Sequence, residues 1–356
     1  MLNLENKDRL LIIRSAEIGD FLVVLPFINY LKNIIGIPDE NVDFIIINNN
    51  KINPIKLIFG EEHTFTKNSS ILSTSNLLSD LSNLREKYKN KEFNKVIYLP
   101  FLNESISSKL KKIISIKYIV GMNKKIYGLN LKDNRSFIGS QYTCYFDALK
   151  INNNSLDFNI EDIIKLNEKE EKNIDYLNVK NHKINVALYI NSKLKMKIWR
   201  EYNYYKIVEY IYKNYQNIQV YLIGGVEDFE YNKDFLNKYN LNEIENIAGK
   251  LSIRETIFLF NKFNIFIGND GSPIHMAAFS KCAILGIYTY KEELASWDPI
   301  KSSKFITIRK NVVCKHCYLA DCIARDCIDN INWKETIKYI EILFKENKIR
   351  ESVVIL

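Results

Sequence analysis

Residues 265–279, IFIGNDGSPIHMAAF, join an apolar run to a polar turn and then to a helical repeat. The run IFIG is typical of a strand buried on both faces of a parallel sheet. The turn places an acid, a glycine and Ser272 ahead of Pro273. Proline is favoured at the first helical position, with serine as the cap before it. The stretch therefore predicts a strand, a cap at Ser272 and a helix that starts at Pro273.

The same alternation of strand and helix recurs along the chain. Short runs rich in β-branched residues are separated by segments of helical periodicity. The predicted strands lie at residues 9–14, 42–47, 95–100, 116–122, 183–190, 219–225, 265–268 and 282–288. Strands that alternate with helices form right-handed βαβ units around a parallel sheet. The sequence thus predicts an α/β fold, with ligands at the carboxyl ends of the strands.

The length of the chain indicates two domains. Its 356 residues exceed the roughly 250 to 300 residues at which one core stops growing. The polar stretch 151–183 is interpreted as the bridge between them. We assign residues 1–175 to an N-terminal domain and 176–332 to a C-terminal domain. Residues 333–356 are predicted to form a helix that crosses back to the first domain.

Composition and charge narrow the classes of function. Hydrophobic residues make up 47% of the chain and charged residues 26%, as in ordinary globular proteins. The net charge of +8 favours an anionic substrate or membrane surface over a nucleic-acid groove, because the basic residues are spread along the chain. The N-terminus is polar where a signal peptide is apolar, and no run reaches the ~18 apolar residues of a membrane span. We therefore expect a cytoplasmic protein.

Two turns carry candidate chemistry. The amides near Gly271 and Ser272 open a helix, where a phosphate binds well, and Asp270 can accept hydrogen bonds from sugar hydroxyls. The alternative is a well-capped helix without a ligand. Asp20 follows the first strand in RSAEIGDF and could take a proton from a hydroxyl nucleophile, or simply cap the next helix. The chain has no GxGxxG, which disfavours a dinucleotide cofactor.

Several stretches, in this order and spacing, resemble glycosyltransferase family nine, the bacterial heptosyltransferases. They are LLIIRSAEIGDFLVVLPFINYLKN, KMKIW, YLIGG and ENIAGKLSIRETIFLFNKFNIFIGNDGSPIHMAAFSKCAILGIY. The resemblance implies the GT-B fold, in which two Rossmann-like, doubly wound domains face each other across a cleft. It implies that residues 1–175 form the acceptor-binding domain and residues 176–332 the nucleotide-sugar-binding domain. It implies inverting, metal-independent transfer of a sugar, by family default heptose from ADP-heptose, to a hydroxyl of a lipopolysaccharide-core-like acceptor.

The resemblance also implies partners and roles. The partners are a nucleotide diphosphate sugar and an anionic glycolipid or glycan, with peripheral contact at the cytoplasmic face of the inner membrane and no nucleic acid. Asp20 matches the general base, and Lys197 matches the basic residue that meets the donor diphosphate. The residues that match the phosphate and sugar contacts are Asp270, Gly271, Ser272 and His275. No cofactor is implied for catalysis.

The chain departs from the family where the donor is recognised. Ser192 and Lys193 stand in place of a Pro-Gly turn, and Gly271 replaces a threonine. YTYKEELASW, residues 288–297, replaces a Gly-Pro-Thr turn. These departures leave the donor sugar open. For the nucleotide ribose, the loop after YLIGG offers Glu227 and Asp228 as acceptors, although both could equally be solvated loop charges.

Four cysteines crowd one short segment of the chain. They are Cys314, Cys317, Cys322 and Cys327. Cytosolic proteins seldom keep disulfides, so a CxxC pair followed by two more cysteines predicts a structural zinc or iron site. The alternative is a set of free thiols.

Two other functions stay open at this point. One is a GT-B glycosyltransferase that uses another nucleotide sugar on a capsule, polysaccharide or protein acceptor. The other is a non-catalytic protein that binds a nucleotide sugar and has lost turnover, which the changes in the donor loops would allow.

Overall fold

The protein forms two compact units, Met1–Lys165 and Leu166–Leu356. The structure, a computed structural model, describes residues 4–48, 50–73, 76–88, 90–91, 93–99, 119–120, 140–149, 151, 158–180, 182–300, 303–317, 319, 321–345 and 352–356. Each unit is built on a parallel β-sheet flanked by helices. The predicted α/β class with two domains is therefore confirmed.

The first sheet has five strands in the order β3-β2-β1-β4-β5. They are β1 Leu10–Ser15, β2 Val42–Ile47, β3 Ser69–Leu72, β4 Lys95–Leu99 and β5 Ile119–Val120. All four pairings are parallel. The chain adds strands on one side of β1 and then on the other, so the sheet has its topological switch point between β1 and β4, where such folds bind ligands.

The helices of the first unit are short. They are α1 Ile18–Leu22, α2 Leu25–Asn29, α3 Pro54–Phe59, α4 Thr64–Lys67, α5 Leu77–Tyr88 and α6 Cys144–Leu149, with a π-helical turn at Tyr30–Ile35. A proline accounts for the break between α1 and α2. Pro26 has no N–H to donate to Leu22, so the first helix ends before the second begins.

The stretch Ile18–Ile35 has the length and hydropathy of a membrane-spanning helix. The test covers the described residues, and 56% of the stretch is buried inside the protein. Phe21, Val24, Leu25, Ile28 and Leu31, which recur at helical spacing, are all buried. That burial is the property of a core helix.

The second sheet has seven strands in the order β12-β11-β10-β9-β6-β7-β8. They are β6 Ile184–Tyr189, β7 Ile218–Leu222, β8 Glu245–Asn246, β9 Ile265–Asn269, β10 Ala283–Ile287, β11 Phe305–Arg309 and β12 Ser352–Ile355. Here the switch point lies between β6 and β9, which pair in parallel with Tyr189 beside Gly268. The loops that follow these two strands therefore open at the same edge of the sheet.

The helices of the second unit pack on both faces of this sheet. They are α7 Glu168–Tyr176, α8 Glu201–Asn214, α9 Phe229–Tyr239, α10 Ile253–Leu259, α11 Ser272–Ala277, α12 Asp326–Asp329 and α13 Trp333–Lys345. Short 3₁₀ turns lie at Lys195–Lys197, Val226–Asp228 and Phe260–Lys262. Trp199 is fully buried among the strand side chains of this core.

The domain boundary differs from the sequence assignment. The structure divides the chain after Lys165, whereas the sequence analysis placed the boundary after residue 175. Helix α7 lies in the second unit because polar contacts attach it to α10. Arg254 pairs in a fork with Glu170 at 2.9 and 2.8 Å, and Asn173 donates to Glu255 at 2.7 Å.

The last helix also differs from its prediction. The sequence analysis expected residues 333–356 to return to the first domain, but α13 packs in the second unit against α8 and β10. Its apolar face buries Ile340 and Leu343 in the second core, and Phe344 stacks on Tyr215 with 4.0 Å between ring centroids. After this helix the chain adds β12 to the second sheet.

Candidate functional site

A buried ion pair marks the switch point of the second sheet. Lys197 ends the 3₁₀ turn after β6, and Asp270 directly follows β9. Lys197 Nζ lies 2.6 Å from Asp270 Oδ2, with side chains only 14% and 8% exposed. The structure therefore brings together two residues that are 73 positions apart and that the sequence assigned to one site.

The charges of this pair determine how its neighbours ionise. Burial raises the pKa of the Asp270 carboxyl, but the adjacent Lys197 ammonium outweighs it, so the pKa lies below its usual value. Burial lowers the pKa of His275 to about 4, while the Asp270 carboxylate opposes this shift and the Lys197 charge adds to it. At neutral pH the site therefore holds an ionised carboxylate and a neutral imidazole.

Asn269 fixes the geometry of the site, and the sequence analysis did not single it out. Its Oδ1 accepts from the Trp199 backbone N–H at 3.0 Å and from the Tyr204 hydroxyl at 2.8 Å. Its Nδ2 donates to the Asn191 carbonyl at 3.1 Å. One buried amide thus clamps the loop after β6 to the end of β9. The available signal was an asparagine within an otherwise apolar strand end.

Helix α11 begins one residue earlier than the sequence predicted. Gly271 is the N-cap, Ser272 is the first helical residue and Pro273 follows it, and no side-chain hydrogen bond caps the helix. The predicted cap at Ser272 is therefore wrong. Gly271 has extended backbone that any residue adopts, but an added Cβ would lie 3.2 Å from the Tyr189 ring. Close packing accounts for this glycine.

The other donor candidates lie around a separate opening. Ser192, Lys193 and Glu227 line a wide cavity of about 940 Å³. Its lining also includes Arg200 and Tyr231 and does not include the Lys197–Asp270 pair. The sequence candidates of the second unit are thus divided between the ion pair with its helix and this cavity.

Asp228 has an internal role in the structure. It is buried, its Oδ1 accepts from Asn191 at 2.7 Å and its Oδ2 accepts from the Gly225 N–H at 2.8 Å. Burial raises the pKa of Asp228, and these two hydrogen bonds oppose the rise. Glu227, by contrast, is exposed. Of the two predicted ribose acceptors, Glu227 is the one that faces solvent.

Asp20 lies in the first unit at the start of α1. It is the third residue of that helix, and its Oδ2 accepts from the Glu17 backbone N–H at 2.9 Å in a capping box. The structure therefore shows the capping contact that the sequence analysis held open. The same contact fixes a carboxylate just beyond the carboxyl end of β1, at the switch point of the first sheet.

The four clustered cysteines lie after β11, ahead of α12 and within it. Cys314 is exposed, Cys317 and Cys322 are half-buried, and Cys327 is buried. Burial, and then the three other thiols, raise the pKa of Cys327, so the sulfurs share one neighbourhood. Within the described residues, however, no three Cys, His, Asp or Glu side chains are grouped to hold a metal ion. The arrangement does not amount to a ligand set.

Known proteins share the fold and the sequence pattern of this chain. The profile of glycosyltransferase family 9 (heptosyltransferase) matches residues 82–327, more than half of the chain. Lipopolysaccharide heptosyltransferase 1 of Campylobacter coli is 24% identical over 281 residues, which are 78% of this chain and 72% of that protein.

Two solved structures show the likeness of fold. The family 9 glycosyltransferase of Veillonella parvula has a TM-score of 0.69 at 14% identity, covering 96% of this chain and 98% of its own. The ADP-heptose lipopolysaccharide heptosyltransferase II of E. coli has a TM-score of 0.59 at 13% identity, covering 94% and 98%.

Proposed function

Because the chain belongs to glycosyltransferase family 9 and is a GT-B glycosyltransferase, we propose that it transfers heptose from ADP-heptose to a hydroxyl of a lipopolysaccharide-core-like acceptor. The transfer inverts the anomeric centre and needs no catalytic metal. ADP-heptose is proposed as the donor because the E. coli relative carries that sugar in its name. The observation that carries the proposal is the buried Lys197–Asp270 pair at the switch point of the second sheet.

Lys197 would stabilise the departing nucleotide diphosphate. Negative charge grows on the diphosphate as the glycosidic bond breaks, and a cation held in a water-poor site acts on it more strongly than in water. Asp270 pairs with Lys197 at 2.6 Å and positions its ammonium. The neutral imidazole of His275 can exchange hydrogen bonds with the donor without adding a second charge.

Asp20 would act as the general base. An inverting transfer is a single displacement, so a carboxylate on the face of the sugar opposite the leaving group must take the proton of the acceptor hydroxyl. The Glu17 N–H holds one oxygen of Asp20 at 2.9 Å. That contact holds the carboxylate in one position, which a base that must meet the acceptor hydroxyl requires.

The remaining contacts with the donor are proposed from where the candidate side chains lie. The exposed Glu227 is suited to a ribose hydroxyl, and Ser192 and Lys193 line the same 940 Å³ cavity. Gly271 and Ser272 lie beside Asp270, where their backbone amides would serve the phosphates. Asp228 would support these contacts indirectly, because its carboxylate accepts hydrogen bonds from Asn191 and Gly225 and so holds their loops in place.

The acceptor is proposed to be anionic. The net charge of +8 suits a phosphorylated glycolipid presented at the cytoplasmic face of the inner membrane. The enzyme would work in the cytoplasm with peripheral contact at that surface.

A panel of nucleotide sugars tests the proposal. Purified protein is incubated with ADP-heptose, ADP-glucose, UDP-glucose and GDP-mannose, each with deacylated lipopolysaccharide core, and the products are followed by mass spectrometry. We expect transfer from ADP-heptose, with inversion at the anomeric carbon. Transfer from another donor would favour the alternative capsule, polysaccharide or protein glycosyltransferase. Tight binding without transfer or hydrolysis would favour a non-catalytic binding protein.

Zinc or iron on the four clustered cysteines stays a prediction. Protein purified without added metal should carry about one ion per chain, and chelation should lower its melting temperature because metal binding is coupled to folding. Transfer at a temperature well below melting should survive chelation, since the metal has no proposed catalytic role. Metal-free protein of full stability, with four thiols open to alkylation, would establish them as free thiols.

A further inference from the structure

Polar and aromatic contacts hold the loop after β10 in the structure. This β10 loop comprises residues 288–300. Arg309 on β11 pairs with Asp298 at 2.5 Å, and its guanidinium lies 4.4 Å from the centre of the Tyr288 ring. The Tyr288 hydroxyl donates to the Trp297 carbonyl at 3.0 Å. The loop is therefore built to hold a fixed shape beside the ion pair.

The β10 loop encloses a small polar cavity against Asp270. The cavity measures about 10 Å³, and its lining includes Asp270, Thr289, Lys291 and Trp297. A space of that size accommodates about one water-sized group. The cavity thus extends the Lys197–Asp270 site by one small polar pocket.

Thr289 places an unsatisfied hydroxyl in this lining. The side chain is only 4% exposed, and its Oγ1 has no hydrogen-bond partner among the described residues. A buried hydroxyl without a partner destabilises the folded protein. A ligand atom within hydrogen-bonding distance would satisfy this hydroxyl.

Lys291 adds a nearly buried cation to the same lining. It is 8% exposed, and its ammonium lies 3.3 Å from the carboxylate of Glu292. An ammonium has three N–H donors, so this pair leaves Lys291 the capacity to donate further hydrogen bonds. The pairing with Glu292 offsets part of the cost of burying this charge.

We propose that Thr289 and Lys291 bind one hydroxyl group of the donor sugar beside Asp270. A sugar hydroxyl has one proton to donate and two lone pairs to accept. It would donate to the Asp270 carboxylate and accept from the Lys291 ammonium and the Thr289 hydroxyl, which gives the Thr289 hydroxyl the partner it lacks. The inference rests on the proposed function, and it makes the β10 loop a determinant of which sugar is accepted.

Thr289→Val tests the proposal, because valine has nearly the same shape and lacks the hydroxyl. We expect the affinity for ADP-heptose to fall about tenfold while the affinity for ADP stays the same, as measured by calorimetry. The melting temperature should hold or rise, since an unsatisfied polar group has been removed. Lys291→Met should weaken ADP-heptose binding in the same selective way.

Thr336→Val is the matched control. Thr336 is also fully buried, but its hydroxyl donates to the Trp333 carbonyl at 2.7 Å in α13. Here the same chemical change should lower the melting temperature and leave both affinities alone. If Thr289→Val behaves like this control, the hydroxyl is structural and the proposal is overturned.

Other outcomes separate this inference from the proposed function. Equal losses for ADP and ADP-heptose would place Thr289 and Lys291 on the diphosphate and overturn the sugar contact. If the wild-type protein prefers another nucleotide sugar, the same pair of titrations is run with that donor and its nucleoside diphosphate. A wild-type protein that binds no nucleotide sugar refutes both proposals.

Discussion

Asp20→Asn is expected to lower the rate of sugar transfer by about 10²-fold or more, the usual scale for a lost general base. Asparagine keeps a carbonyl oxygen that can accept from the Glu17 N–H, so the contact now made at 2.9 Å can survive. It cannot take a proton from the acceptor hydroxyl. We therefore expect the affinity for ADP-heptose and the melting temperature to stay near wild type, with the loss confined to kcat.

Glu17→Gln provides the control for this variant. Glu17 lies in the same turn, and its Oε1 accepts from Asn50 at 3.0 Å. Removing its charge should change transfer only slightly. Near wild-type turnover in Asp20→Asn would reduce Asp20 to the capping role that the structure shows. A large loss in both variants would indicate a general effect of charge on this turn.

The sequence predicted the central strands well because their burial leaves a direct signal. Strands β1, β2, β9 and β10 are buried along their length, so they are largely apolar runs bounded by polar turns, interrupted by Arg14 in β1 and Asp43 in β2. Lys197 and Asp270 were assigned to one site through the resemblance to the family, and the fold supplies the physical reason. Parallel strands end at one edge of a sheet, so residues that follow neighbouring strands converge there.

The sequence analysis missed elements whose stability depends on distant partners. Strand β11, FITIR, contains two polar residues that are buried only because Arg309 pairs with Asp298 and Thr307. Strand β12 pairs with β11, although α13 lies between the two strands in the sequence. Because these two strands were not predicted, the cysteines were expected to follow the last strand of the sheet. The structure puts them between β11 and β12.

The same limitation affected the candidate site. Helical periodicity predicted α13, whereas α7 lies within the polar stretch 151–183 that was interpreted as a bridge between domains. Periodicity also does not say which core a helix covers. The fork between Arg254 and Glu170, which attaches α7 to the second unit, joins side chains that are far apart in the chain. The cavity that places Thr289 beside Asp270 is likewise formed only in the folded protein. Only the three-dimensional packing shows that Asp228 is committed to internal hydrogen bonds while Glu227 faces solvent.

Lys197→Ala is expected to weaken binding of ADP strongly and binding of adenosine little, because the ammonium acts on the phosphates. It should also destabilise the protein by about 3 to 5 kcal/mol, the usual effect of removing one partner of a buried ion pair. The reason is that Asp270, now 2.6 Å from the Lys197 ammonium, would remain as an unpaired buried carboxylate. Calorimetric titrations and denaturant unfolding measure the two effects.

The double variant Lys197→Met with Asp270→Asn separates binding from folding. Both charges are absent, so no buried carboxylate is left unpaired and much of the lost stability should return. The affinity for ADP should stay low, because the cation that meets the diphosphate is still missing. Recovery of ADP binding together with stability would show that Lys197 acts only by holding the fold. Equal losses for ADP and adenosine in Lys197→Ala would likewise move Lys197 away from the phosphates.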